Sequence, residues 1–167
     1  MAKPTGMPTV QQIQQLPVDL TMSIPPEWED HNGHVNVQHY LSIYHLGGWQ
    51  VLDNIGINQV YLNERKVGIF DLEHHIRYLA EIQIGEEVSV YSRVLNRNEK
   101  LLHGMLFIVN NTHQLLACTI DYLSICIDKK LRSSTAIPAD MALKLDDLLA
   151  QHQSLQWSVP VCGNFNI

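Results

Sequence analysis

A carboxylate, a carboxamide and an imidazole fall on alternate positions in the stretch EWEDHNGHVNVQHYL, as Asp30, Asn32 and His34. Side chains of these types can take a proton from water, orient that water and return the proton to a leaving group. Asp30 could also attack a carbonyl directly. Gly33 lets the chain bend between Asn32 and His34 with no side chain in the way. A long apolar-periodic segment follows at once, so the triplet stands before a helix N-terminus. Unpaired N–H groups and the helix dipole favour negative charge there. A reacting carbonyl held at that end would have its developing charge stabilised by main chain. Two other readings compete. D-x-N-G is ordinary turn chemistry, in which Asp and Asn bond their own backbone. His31, His34, His39 and the His74-His75 pair raise the question of a metal, but an H-x-x-H pair in a loop lacks an assured third ligand. No metal is expected.

The elements that must hold these residues follow from periodicity. Residues 1–16 are polar and punctuated by proline, a loose or short helical lead-in, and VDLTMSI alternates as a first strand ended by Pro25-Pro26. Val37, Tyr40, Leu41, Tyr44, Gly48, Val51, Leu52 and Ile55 keep helical spacing. That predicts one largely buried helix of about 19 residues, with Asn36 as N-cap and Gly56 just past its end. Gly47-Gly48 in mid-helix costs up to about 1 kcal/mol per glycine, which suggests that another backbone packs closely there. A short helical turn is expected around NQVYLNERK, then strands over 67–79, 87–96, 101–110 and 114–128, joined by short turn-rich connections. In the first of these strands Leu72, His74, Ile76 and Tyr78 share one face, and Glu73, His75 and Arg77 the other. A helix opens at Pro138, and 153–167 reads as an irregular tail. The class is α+β, a single domain over 1–167. A sheet wrapped on one helix leaves edges and a face to cover, so a homo-oligomer is predicted.

Bulk composition removes several functions. With 46% apolar and 17% charged residues, 167 residues make an ordinary globular domain with a real core. A net charge of −6 argues against nucleic-acid binding, which needs a basic footprint. Local clusters at Lys129, Lys130 and Arg132, and more loosely at Arg93, Arg97 and Lys100, remain candidates for an anionic ligand. Cys118, Cys126 and Cys162 lack the number and spacing of a disulfide framework or a zinc knuckle. The start lacks an apolar leader, and no segment reaches the roughly 18 apolar residues that span a bilayer. A cytoplasmic protein without membrane association is expected.

The run Asp30-x-Asn32-Gly33-His34-Val35-Asn36-x-x-x-Tyr40 ahead of a long helix resembles the hotdog-fold acyl thioesterases. It is similar to the D-x-N-x-H-V-N-x-x-x-Y run of plant acyl-carrier-protein thioesterases, which implies Asp30, Asn32 and His34 as catalytic groups. Asp30 also matches the aspartate of the D-x-x-G motif in the 4-hydroxybenzoyl-CoA thioesterase type. PPEWEDHNGH, LEHHIRYLAEIQIGEEVSVYSRVL, EKLLH and IPADM resemble more narrowly the betainyl-CoA thioesterases of carnitine breakdown. Val35-Asn36 departs from that narrower pattern, where G-H-M is usual. The resemblance implies a hotdog fold, an antiparallel sheet around a central helix. It implies hydrolysis of a short acyl-CoA with no cofactor, in a dimer or tetramer of dimers. Gly33, Asn36, Tyr40, Tyr44, Trp28, His74 and His75 would then bind substrate, with Trp28, Tyr40, Tyr44 and Trp49 available as aromatic faces for a quaternary ammonium. Two alternatives stand beside it. One is a non-catalytic acyl-CoA-binding hotdog protein. The other is an (R)-specific enoyl-CoA hydratase, whose D-x-N-x-x-H run is one residue longer than the run here.

Overall fold

The computed structural model describes residues 6–163 and 165. Its frame is an antiparallel sheet in the order β1-β3-β4-β5-β2, with β1 (Leu20–Ser23) and β2 (Val67–Tyr78) at the edges. Between them lie β3 (Glu87–Arg97), β4 (Leu101–Asn110) and β5 (Leu115–Asp128), and a short β6 (Ser133–Ser134) extends β5. These bounds agree with the predicted strands to within one or two residues. β3–β4 and β4–β5 are joined by tight hairpins with registers such as Tyr91↔Phe107 and Leu106↔Ile120, whereas β2 pairs with β5 and the loop from β2 to β3 crosses the sheet instead of closing a hairpin.

The chain between β1 and β2 crosses one face of the sheet as α2 (Gln38–Gly48), and Tyr40 and Ile43 pack there with Val90, Leu106, Ile108 and Ile120. Each such fully buried aliphatic side chain contributes about 1.5–3 kcal/mol. Gly47 explains why the helix carries glycine. A Cβ at Gly47 would lie 2.6 Å from Val90 Cγ1, whereas one at Gly48 would meet only ordinary contacts, the nearest Leu106 at 3.6 Å. The close approach therefore accounts for one glycine of the pair.

The single long, buried helix does not form as predicted. It breaks at Trp49 and resumes as α3 (Gln50–Asn54), while Asn36 bonds the Gln38 amide from two residues ahead of the helix. Nor is it largely buried, because Leu41 and Leu46 stay exposed on its outer side. Periodicity identified the inward stripe but could not say that one chain leaves the opposite flank bare.

Short helix α4 (Gln59–Arg65) follows, and α5 (Ala139–Gln153) packs on β3. Together α3, α4 and α5 enclose a second core around Leu62, Val94, Met141 and Leu145. The lead-in takes the short helical form of the two expected, and the segment after α5 is irregular but packed. Thr9 and Gln12 form a capping box on α1 (Val10–Ile13). Ile13, Leu16 and Trp157 then pack with Tyr91, Met105 and Phe107 on the sheet face away from α2. The basic cluster at Arg93 and Arg97 is structural. Arg93 is buried, donates to the carbonyls of His152 and Trp157 at 2.9 and 2.7 Å, and stacks on the Trp157 ring. Arg97 forks onto Asp146. No helix among the described residues is long and apolar enough to cross a membrane.

Candidate active site

Residues 29–35 form a small closed loop, bridged at Glu29↔Val35, that hangs between β1 and α2. The Asp30 amide donates to the His34 carbonyl at 2.9 Å and the Gly33 amide donates back to the Asp30 carbonyl at 3.1 Å. Gly33 sits at φ +84°, the left-handed conformation that a side chain would strain. Val35 anchors the loop by donating to the Ile82 carbonyl at 2.9 Å.

This frame holds the carboxylate of Asp30 from below. Oδ1 accepts the Asn32 amide at 2.8 Å and the His34 amide at 3.5 Å, and His34 Nδ1 lies 3.5 Å from the same oxygen. Among the described residues, Oδ2 accepts only the Asn32 carboxamide, at 3.2 Å. Loss of water pushes the carboxyl upward, but the bonds from Asn32 and His34 outweigh it and hold Asp30 below the ordinary carboxylate value. The Asx-turn contacts thus leave an ionised carboxylate with its Oδ2 edge lightly used among the described residues.

Asp30, His34, Asn36, Val37, Tyr40 and Tyr78 line an open cleft of about 700 Å³, together with Glu81 from the loop after β2. The oxyanion donors expected from the helix start are mostly taken. Gln38 donates to the Asn36 side chain, His39 to the Asn36 carbonyl and Tyr40 to the Val37 carbonyl. Among residues 36–40, the Val37 amide alone has no acceptor among the described residues. Val37 is also one of the residues that line the cleft.

The other predicted residues divide. Tyr40 lines the cleft and meets Tyr78 edge-on at 4.9 Å. Trp28 does not line it, because its ring stacks flat on His39 at 4.6 Å. Tyr44 and His74 lie farther along the α2/β2 seam, in edge contact at 4.6 Å. His75 is exposed and alternates onto the opposite face of β2, away from the site. The alternation expected through Leu72 and His74 is interrupted by a bulge. The register slips between Asp71 and Glu73, so Leu72 is an unpaired, exposed bulge residue and Asp71, itself partly exposed, lies on the side of β2 that faces Tyr44 and Ser124. Its Oδ1 accepts from Tyr44 Oη at 3.0 Å and Ser124 Oγ at 2.6 Å. Sequence reading missed Asp71 and Glu81, and only the run of polar residues at the strand's start hinted at the bulge. The described residues contain no group of three or more His, Cys, Asp or Glu placed to hold a metal.

The chain is similar to known proteins in sequence and in fold. Residues 24–145 match the sequence model of the thioesterase-like superfamily. An Agrobacterium fabrum L-carnitine dehydrogenase/betainyl-CoA thioesterase is 30% identical over 128 residues, which span 75% of this chain and 26% of that protein. The betainyl-CoA thioesterase of Pseudomonas aeruginosa is 31% identical over 78 residues, 47% of this chain and 49% of that protein. This chain thus spans about a quarter to a half of the length of such curated relatives. Among solved structures, a Staphylococcus aureus protein in complex with CoA superposes with a TM-score of 0.79 at 21% identity, covering 91% of this chain and 96% of that one. The DHNA-CoA thioesterase of the same organism gives 0.74 at 14% identity, covering 80% and 91%. At these identities the structural likeness fixes the fold, a hotdog, and with the superfamily match over most of its length the chain belongs to the thioesterase-like superfamily.

Proposed function

We propose that the protein hydrolyses a short acyl-CoA to the free acid and CoA. The observation that carries this is the ionised Asp30 carboxylate in a cleft also lined by Val37, whose amide has no acceptor among the described residues. Water held at Asp30 Oδ2 forms the new C–O bond at the thioester carbonyl while its proton passes to the carboxylate. The Val37 N–H receives the oxyanion. Collapse breaks the C–S bond, and the thiolate leaves with the proton returned through Asp30 or His34. Asn32 keeps the carboxylate in place, and no step calls for a cofactor. Curated relatives that carry the name betainyl-CoA thioesterase support a betainyl group as the finer choice of substrate.

The working unit in this proposal is a homodimer, the simplest of the assemblies expected. Edge strand β2 exposes Phe70, Leu72 and Tyr78, and helix α2 exposes Leu41 and Leu46, apolar side chains that a second copy of the chain would cover. Three cysteines, all unpaired, suit a reducing cytoplasm.

Thiol release from acetyl-, betainyl-, benzoyl- and medium-chain acyl-CoAs, followed with a chromogenic disulfide, tests the reading. Release from at least one short thioester is expected. Silence across the panel would leave the chain a binder, and hydration of crotonyl-CoA without thiol release would make it a hydratase.

A further inference from the structure

Among the described residues, the hydrogen bonds of residues 29–35 stay within residues 26–36, with one exception. The Val35 amide donates to the Ile82 carbonyl at 2.9 Å, and both side chains are buried in the core under α2. The position of the Asp30 carboxylate therefore depends on how firmly the loop between β2 and β3 holds that carbonyl. The same loop brings Leu79, Ala80 and Glu81 to the cleft.

That loop is tied at both ends. At its start the Leu79 and Ala80 amides share the Ala117 carbonyl, at 2.8 and 3.1 Å. At its end Glu86 closes the turn. Oε2 accepts the Gln83 amide at 2.8 Å and the Asn110 carboxamide at 2.6 Å, while His113 Nε2 lies 2.6 Å from Oε1. Glu86 is only 8% exposed, and Asn110 is fully buried. Burial alone would raise the Glu86 carboxyl, but the bonds from Gln83, Asn110 and His113 hold it below its ordinary value. Main chain completes the clamp: the Ile24 amide donates to the Glu86 carbonyl and the Gly85 amide to the Ile24 carbonyl, each at 2.9 Å. A buried charge is kept only against a desolvation cost, and the donors that offset it here come from two segments, the turn itself and the β4–β5 connection. The carboxylate thereby fixes the turn against the sheet as well as closing it. None of Glu86, Asn110 and His113 lines the cleft.

We infer that Glu86 is a positioning residue for the Asp30 carboxylate, acting through Gln83, the Ile82 carbonyl and Val35 without touching substrate. The inference rests on the thioesterase reading of the Asp30 cleft. It makes the β4–β5 connection, through Asn110 and His113, part of what sets the site. Removing the Glu86 carboxylate leaves the Gln83 amide and the Asn110 carboxamide without their acceptor and the Ile82 carbonyl free to shift. Tyr40 and Tyr78, which meet edge-on in the cleft wall, stand apart from the clamp, so binding changes less than the reaction step. A displacement of Asp30 by about 1 Å costs up to about a hundredfold in rate.

The test introduces Glu86→Ala into the wild-type and Asp30→Asn backgrounds and measures kcat and KM by thiol release, beside amide hydrogen exchange by NMR. In the wild-type background kcat is expected to fall at least about tenfold while KM changes less than about threefold. In Asp30→Asn the same substitution should cost nothing further, because the group it positioned is gone. Glu86→Gln, which keeps an oxygen for Gln83 and Asn110, should recover most of the rate. The Val35 amide should exchange faster in Glu86→Ala while amides in the middle of β4 stay protected. In the wild type the Val35 amide should exchange no more slowly than the Gln83 amide, a reading that needs no variant to fold. Equal losses with and without Asp30, unchanged Val35 exchange in Glu86→Ala, or a wild-type Val35 amide more than about tenfold slower than Gln83 would overturn the assignment. A wild type that releases no thiol would sink the hydrolase reading, and Val35 exchange would still decide the clamp.

Discussion

Asp30 earns its role from neighbours that the sequence names in order. Asn32 and His34 reach its oxygens because Gly33 takes a positive φ between them, so the D-x-N-G-H spacing was legible before any fold was known. Asp71 was not legible, because its place facing Tyr44 and Ser124 comes with a bulge at Leu72 that strict alternation hides. Asp19 carries a separate prediction. It is buried just before β1, and neither carboxylate oxygen makes a well-formed hydrogen bond among the described residues, although Ser92 lies near enough to pull its carboxyl down a little against the larger effect of burial. Burial raises its carboxyl from 3.8 to about 7. An acid raised in the folded state keeps its proton there while the unfolded chain loses it, so stability falls as pH rises from about 4 to about 7. Asp19→Asn removes that dependence. Measured by urea midpoints, its stability relative to wild type should improve from pH 4 to pH 8 by on the order of 2–4 kcal/mol. A relative stability that worsens over that range would contradict the account.

At the scale of elements, the strands were readable because their turns and alternation agree, and β3 and β4 fall almost where periodicity puts them. The break at Trp49 was not, since the apolar stripe runs through it without a proline to mark it. Local spacing also could not say that the terminal segments pack: Ile13 and Trp157 are buried by partners far away in sequence. The glycine pair in α2 gives the sharpest check on this packing. Alanine at Gly47 must push into Val90, an overpacking cost of about 1–3 kcal/mol. That outweighs the roughly 1 kcal/mol gained in helix propensity. Alanine at Gly48 meets only ordinary contacts and should gain up to about 1 kcal/mol. Thermal unfolding of G47A and G48A should therefore shift in opposite directions, and a stabilised G47A would mean α2 lies farther from the sheet.

At the scale of the whole molecule, the fold places one site at the head of a helix and leaves one flank of that helix and one strand edge apolar and exposed. Light scattering should give at least twice the 19.1 kDa chain mass, and charge introduced as Phe70→Asp with Leu72→Asp should lower it and reduce turnover together. A wild-type monomer with full activity would remove the dimer from the proposal. The central claim, that Asp30 drives thioester hydrolysis, is tested most directly by thiol release from the preferred acyl-CoA with wild type and Asp30→Asn. The account predicts a loss of at least about a hundredfold, within the usual range for a positioned acid–base group, with the circular dichroism spectrum unchanged. Release by Asp30→Asn at the wild-type rate would contradict it.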